Sequence, residues 1–195
     1  LMRSTDARRL RASGADALAD LRRADWLYLT GISLAVLDVE SRLSVFETMR
    51  TIVENGGQVA FDINYRPILW EDVAEAASTL QVALSWSTIA LPGLDDMRAV
   101  FGTNTPAAAL RQLESFDVQE AVIKNGSAGV HLSSGDVIEA EPVANVIDTT
   151  AAGDAFNGAY LAARMNGSNA ETAARAGQSL AAKVIQATFR SSRVA

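Results

Sequence analysis

The chain has 195 residues, 49% hydrophobic and 21% charged, and its 17 basic and 23 acidic side chains give a formal net charge of −6. That composition supports a sizeable core, and the lack of a basic run with interleaved aromatics argues against nucleic acid as a partner. There is no cysteine, which excludes disulfides, thiol catalysis and thiolate zinc sites, and a single histidine, His131, rules out a His-rich metal site.

The polar segment 1–10 lacks the apolar centre of a signal peptide, and no apolar run reaches the length of a membrane span. The expectation is a soluble cytoplasmic protein. Residues 15–25 have helical spacing, and residues 26–30 (WLYLT) read as a buried strand ending near Gly31. Val39, Leu43, Phe46, Ile52 and Val53 fall largely on one helical face, which stops at Asn55-Gly56-Gly57. QVAFDI (58–63) predicts a second strand, and a polar loop, NYRPILW (64–70), follows it. Next come an Ala-rich helix from about Glu71, a strand near residues 87–91, a Pro92-Gly93 break, and helical segments on either side of FGTNTP (101–106). EAVIK (120–124) predicts a further strand, followed by a turn and a hairpin around Ser134-Gly135. From Asp154 to about Ala187 the pattern is helical, interrupted at residues 166–169. This alternation predicts an α/β fold in one domain, with a mainly parallel sheet and helices on both faces. Ligands in such sheets bind beyond the carboxyl ends of the strands, which draws attention to three loops.

The first is IDTTAAGDAFNG (147–158), where several capping residues and small residues precede a long helix. The first N–H groups of a helix carry the positive end of its dipole and can cradle an anion, and Asp154 at that mouth could accept a proton from an attacking hydroxyl. The same residues also read as an over-capped helix in which Asp154 only complements the dipole. The second is DINYRP (62–67), where Asp62, Asn64 and Arg66 alternate past a strand end and Arg66 offers a fork for a carboxylate or phosphate. A surface ion pair and a turn set by Pro67 would account for it too. The third, KNGSAG (124–129), is not a Walker A loop, because no Gly-Lys-Ser/Thr follows at the required spacing. It is also consistent with a plain Gly-rich turn. His131, inside a strand, reads as structural.

Residues 148–159, DTTAAGDAFNGA, closely resemble the C-terminal signature of the ribokinase-like (PfkB) carbohydrate kinases, D-T-x-G-A-G-D-x-F, with Ala151 where the family usually has glycine. If that position required φ > 0, the alanine would cost roughly 1 kcal/mol. The resemblance implies a ribokinase-like fold and ATP-dependent phosphorylation of a carbohydrate. It makes Asp154 the catalytic base, in contact with substrate, and assigns the N–H groups of Ala151, Ala152, Gly153 and Asp154 to the charge on the transferred phosphoryl group. It sets Asp148 and Thr150 near a monovalent-cation or nucleotide site. The D-x-N-x-R loop followed by Pro and Trp is similar to that of family members acting on 2-keto-3-deoxygluconate. By that likeness Arg66 and Tyr65 contact the sugar acid, while Asp62 and Asn64 serve the phosphate side. Lys124, Gly126, Ser127 and Gly129 correspond to the turn along the ATP phosphates. Gly93 and Asp96 replace the Asn and Glu of the family's N-x-x-E segment, leaving Asp96 to order magnesium-bound water.

The implied ligands are ATP, Mg2+, a monovalent cation and a sugar acid, with homo-oligomers of the full-length form. The resemblance runs from about Trp26 to Gln186. It implies the C-terminal portion of a kinase domain, without the family's N-terminal sugar-binding segment and lid, and with a differing tail. Another sugar kinase, such as a fructokinase, and a nucleotide-binding remnant without turnover stand as alternatives.

Overall fold

The computed structural model describes residues 21–143, 146–147, 149 and 151–186. The chain divides into two compact units, one through Ile123 and one from Lys124. Most of the helix expected over residues 15–25 lies outside the described residues.

The first unit alternates strand and helix as the sequence pattern predicts. Strand β1 (Trp26–Thr30) leads directly into a short helix α1 (Gly31–Ala35) and then α2 (Val39–Glu54). Strand β2 (Gln58–Asp62) is followed by a single 3-10 turn (Pro67–Leu69) and helix α3 (Val73–Ser85). Strand β3 (Ile89–Ala90), helices α4 (Leu94–Phe101) and α5 (Pro106–Ser115), and strand β4 (Glu120–Lys124) complete the series. β1 to β4 pair in chain order and in parallel, with Leu29 opposite Phe61, Phe61 opposite Ala90, and Ala90 opposite Ala121. This is the α/β arrangement expected, and its strands are apolar because helices cover them.

The helix boundaries follow from identifiable caps. Asp38 accepts the Ser41 N–H at 2.8 Å and Asp72 accepts the Glu75 N–H at 2.7 Å. The second cap starts α3 at Val73, two residues later than the pattern suggests. Thr105 caps α5 ahead of Pro106, and Gly102, at φ 72°, ends α4 in the left-handed conformation. β3 is shorter than expected, yet the ladder extends beyond it. Val59 and Thr88 exchange backbone and hydroxyl hydrogen bonds, and the Leu91 N–H donates to the Phe61 carbonyl at 2.9 Å. Phe61, Ile63, Met49, Ile52, Leu80, Leu84, Met97 and Leu113 are fully buried and form the centre of this unit.

The second unit begins with a 3-10 turn (Gly126–Ala128) and the antiparallel hairpin β5 (Val130–Leu132) and β6 (Val137–Ile138). Two helices follow, α6 (Ala152–Met165) and α7 (Ala170–Ile185), the second capped by Asn169. They pack closely because one contributes rings and the other small residues. A Cβ on Gly177 would lie 2.6 Å from Phe156, whose ring stacks on Tyr160 at 5.9 Å between centroids. Among the described residues, no helix is long and apolar enough to cross a membrane.

Candidate active site

Two groups of predicted residues are built separately, one in each unit. In the first unit, β2 ends at Asp62, which is 3% exposed. Asn64 then adopts φ 36°, the left-handed region that asparagine tolerates better than most side chains, and this turns the chain out of the sheet. The Tyr65 N–H donates to Asp96 Oδ1 at 3.3 Å, fastening the loop to the first turn of α4. The exposed Arg66 guanidinium donates to the Tyr65 carbonyl at 2.9 Å. Four residues on, Trp70 is buried beneath the Arg42 guanidinium, 5.1 Å from the ring centroid. Arg42 also donates to the Leu34 carbonyl at 2.9 Å and pairs with Glu75 at 2.6 Å. The hydrogen bond from Arg42, followed by that from the Glu71 N–H, holds the Glu75 carboxyl below its ordinary value. Asn64, Tyr65 and Arg66 thus hang between two fixed points, Asp96 and Trp70.

In the second unit, a cavity of about 480 Å³ collects most of the residues assigned to the nucleotide. Lys124, Gly126, Ser127 and Gly129 line it together with Ala152 and Gly153 at the mouth of α6. The turn demands its glycines. Gly126 has φ 53° and Gly129 φ 87°, and a Cβ on Gly129 would come within 2.2 Å of the Ile138 carbonyl oxygen. The Lys124 ammonium donates to Asn157 Oδ1 at 3.0 Å and lies 3.8 Å from the position of a Cβ on Gly153. Val130, Val143, Val146, Phe156, Ala181 and Ile185 supply apolar walls. The Ile147 N–H donates to the Ile185 carbonyl at 2.9 Å, securing the approach to α6 against the end of α7.

Ala151 precedes α6 and Asp154 is its exposed third residue, so the helix starts two residues earlier than the pattern suggests. Ala151 has φ −103°, so no positive φ is imposed on it. The Ala152 N–H donates to the Thr149 carbonyl at 3.1 Å, a bond that an anion at this mouth would compete with. Asp148 and Thr150 lie outside the described residues. Among the described residues, no group of three or more His, Asp or Glu is placed to hold a metal ion.

Sequence reasoning did not single out Asn157 or Gln178. Asn157 is fully buried, and Gln178, 9% exposed, lines the cavity with an Nε2 that has no hydrogen-bond partner among the described residues. Both were detectable as polar residues on otherwise apolar or small-residue helical faces, Gln178 between Ala174, Ala181 and Ala182.

Residues 4–191 match the family model described as pfkB family carbohydrate kinase. The chain belongs to that family. Within the PfkB family, it is 39% identical over 173 residues to 2-dehydro-3-deoxygluconokinase of Escherichia coli K12, covering 86% of this chain and 56% of the relative. The namesake from Dickeya dadantii is 37% identical over 184 residues, covering 91% of this chain and 59% of the relative. The chain thus spans little more than half the length of these curated relatives. A solved PfkB protein from Polaromonas sp. JS666 superposes with a TM-score of 0.77 at 25% identity, over 87% of this chain and 56% of that one. Aminoimidazole riboside kinase from Salmonella enterica, complexed with aminoimidazole riboside and an ATP analog, gives 0.73 at 26%, over 83% and 56%. The PfkB assignment agrees with the ribokinase-like fold expected from the signature.

Proposed function

We propose that this chain carries the nucleotide-binding and phosphoryl-transfer part of an ATP-dependent sugar-acid kinase, acting on 2-keto-3-deoxygluconate. The observation that carries the reading is the second-unit cavity. Its Gly-rich turn, a lysine ammonium and the start of a 14-residue helix lie beside apolar walls. Those donors suit a phosphate chain, and the walls together with the buried Gln178 amide suit a nucleobase. Such a cradle fits MgATP, which when bound supplies the transferable phosphoryl group and the metal charge that offsets its oxygens.

The chain's own residues do the remaining work. Asp154, exposed at the helix mouth, accepts the proton of the attacking hydroxyl. The α6 dipole and Lys124 stabilise the charge that develops on the oxygens. In the first unit Arg66 and Tyr65 bind the sugar acid, with the Arg66 fork matched to its carboxylate. Asn64 shapes that loop, and Asp96 holds it through the Tyr65 N–H and serves metal-bound water. Asp148 and Thr150 are assigned to a monovalent cation on the family likeness. The similarity to 2-dehydro-3-deoxygluconokinases favours the sugar acid over a ketose, since a Vibrio alginolyticus fructokinase is 29% identical over 148 residues.

The test is mass-spectrometric detection of phosphorylated product from this chain with MgATP and either 2-keto-3-deoxygluconate or fructose, alongside Asp154→Asn. Product from the sugar acid alone, lost at least about 1,000-fold in the variant, supports the reading. Product from fructose alone would move the assignment to a fructokinase. ATP binding without product from either would favour the non-catalytic alternative.

A further inference from the structure

We infer that Arg42, on α2, is a positioning residue that fixes where Arg66 stands. The inference rests on the reading of Arg66 and Tyr65 as sugar-acid contacts given above. Arg66 is exposed, and its guanidinium donates to the carbonyl of the adjacent Tyr65, so its placement follows the backbone that carries it. That backbone is closed on its far side by the 3-10 turn. The Leu69 N–H donates to the Arg66 carbonyl at 2.9 Å, and the Trp70 N–H donates to the Pro67 carbonyl at 3.2 Å. A shift of Trp70 is therefore passed to Arg66 within a single turn.

Trp70 in turn depends on Arg42. The Trp70 side chain is buried, and its Nε1 has no hydrogen-bond partner among the described residues. Its ring is located by packing and by the Arg42 guanidinium, 5.1 Å from the centroid. A cation over a ring attracts it most strongly when desolvated, and the Arg42 side chain is only 12% exposed. The guanidinium is itself held from two directions. Its Nε donates to the Leu34 carbonyl in α1 at 2.9 Å, and a terminal nitrogen donates to Glu75 at 2.6 Å. The same Glu75 carboxylate accepts the Glu71 N–H at 2.8 Å, next to Trp70. At the other end of the loop, α1 begins at Gly31, where a Cβ would collide with the Ile63 carbonyl oxygen. Arg42 thus joins α1, which abuts the start of the loop, to Trp70, which ends it. A lysine would keep the charge but lacks the planar fork that donates in two directions while facing a ring.

The experiment titrates 2-keto-3-deoxygluconate and, separately, MgATP calorimetrically into the wild-type chain, Arg42→Lys, Arg42→Met, Arg66→Met and the Arg42→Met/Arg66→Met double variant. Chymotryptic cleavage of the native chains after Tyr65 and Leu69 is followed in parallel by mass spectrometry. Arg42→Met should weaken sugar-acid binding about 10-fold and leave MgATP within about 2-fold of wild type, a split that a purely structural role would not produce. Cleavage in the loop should become at least about 5-fold faster, because its anchor opens more often. Arg42→Lys should lie between wild type and Arg42→Met in both readouts. The double variant should bind the sugar acid within about 2-fold of Arg66→Met, because Arg42 acts through Arg66. Unchanged cleavage in Arg42→Met, an equal loss for both ligands, or a further loss in the double variant would overturn the inference. A wild-type chain that binds no sugar acid would overturn the sugar-acid reading, whereas faster cleavage in Arg42→Met would still uphold Arg42 as the residue that sets Arg66. If Arg42→Met fails to fold, Arg42→Lys carries the same comparison.

Discussion

Ala151 stands where the family signature usually has glycine, yet its φ of −103° is one that any residue adopts. The anticipated backbone penalty therefore does not arise. The glycines that cannot be replaced are elsewhere. Gly129 is constrained twice, by a φ of 87° and by the Ile138 carbonyl oxygen 2.2 Å from its Cβ position. The residues proposed for the nucleotide side could be picked out from the sequence because a Gly-rich turn and a signature are local features. Asn157 escaped notice because its partner, Lys124, lies 33 residues away, a pairing that only the tertiary fold creates. Arg66 provides a test in the first unit. Arg66→Lys keeps the charge but loses the planar fork, so KM for the sugar acid should rise about 10-fold with KM for ATP unchanged. Steady-state kinetics varying each substrate in turn would check it, and parallel rises in both KM values would remove Arg66 from the sugar site.

The elements meet through a few well-defined fixtures. Arg42 on α2 joins the Leu34 carbonyl, the Trp70 ring and Glu75 on α3, so one side chain links three segments of the first unit. Because that contact and the Glu71 N–H depress the Glu75 pKa, Glu75 binds a proton more readily in the unfolded chain than in the folded one. Its contribution to stability is present above the ordinary glutamate value near about 4.3 and is lost as pH falls through the lower folded value. Urea denaturation between pH 6 and pH 3 should therefore show a steeper acid loss in wild type than in Glu75→Gln. Equal slopes would mean that the pair contributes nothing. Helix existence was legible from periodicity, and the caps explain the starts that differed by two residues. β3 was harder to bound, since much of its pairing runs through the Thr88 hydroxyl and the Leu91 N–H rather than through a continuous apolar run.

At the scale of the whole molecule, the alternation of strand and helix was legible because parallel strands covered by helices read as short apolar runs. The packing of α6 against α7, which shapes the cavity, was not, because alanine and glycine carry little periodic signal. The net charge of −6 repels nucleotides at long range, so the proposed nucleotide binding would depend on the local donors around Lys124. MgATP at 100 times its dissociation constant should stabilise the fold by about 2.7 kcal/mol. Thermal denaturation should show a matching rise in wild type and in Asp154→Asn, which removes the proposed base but not the proposed cradle. No rise in either would contradict the cavity assignment.

The alanines that line this cavity have a practical consequence. Ala181 and Ala182 are 8% and 6% exposed, so methyl groups bound part of its inner wall. A space edged in this way can be edited one carbon at a time, without disturbing any polar contact. Trimming Ala181 to glycine would carve a notch in that wall, into which a nucleotide enlarged on its base would extend on the nucleotide reading proposed above. On that reading, a labelled analogue of this kind would be taken up by the Ala181→Gly variant more readily than by the wild-type chain.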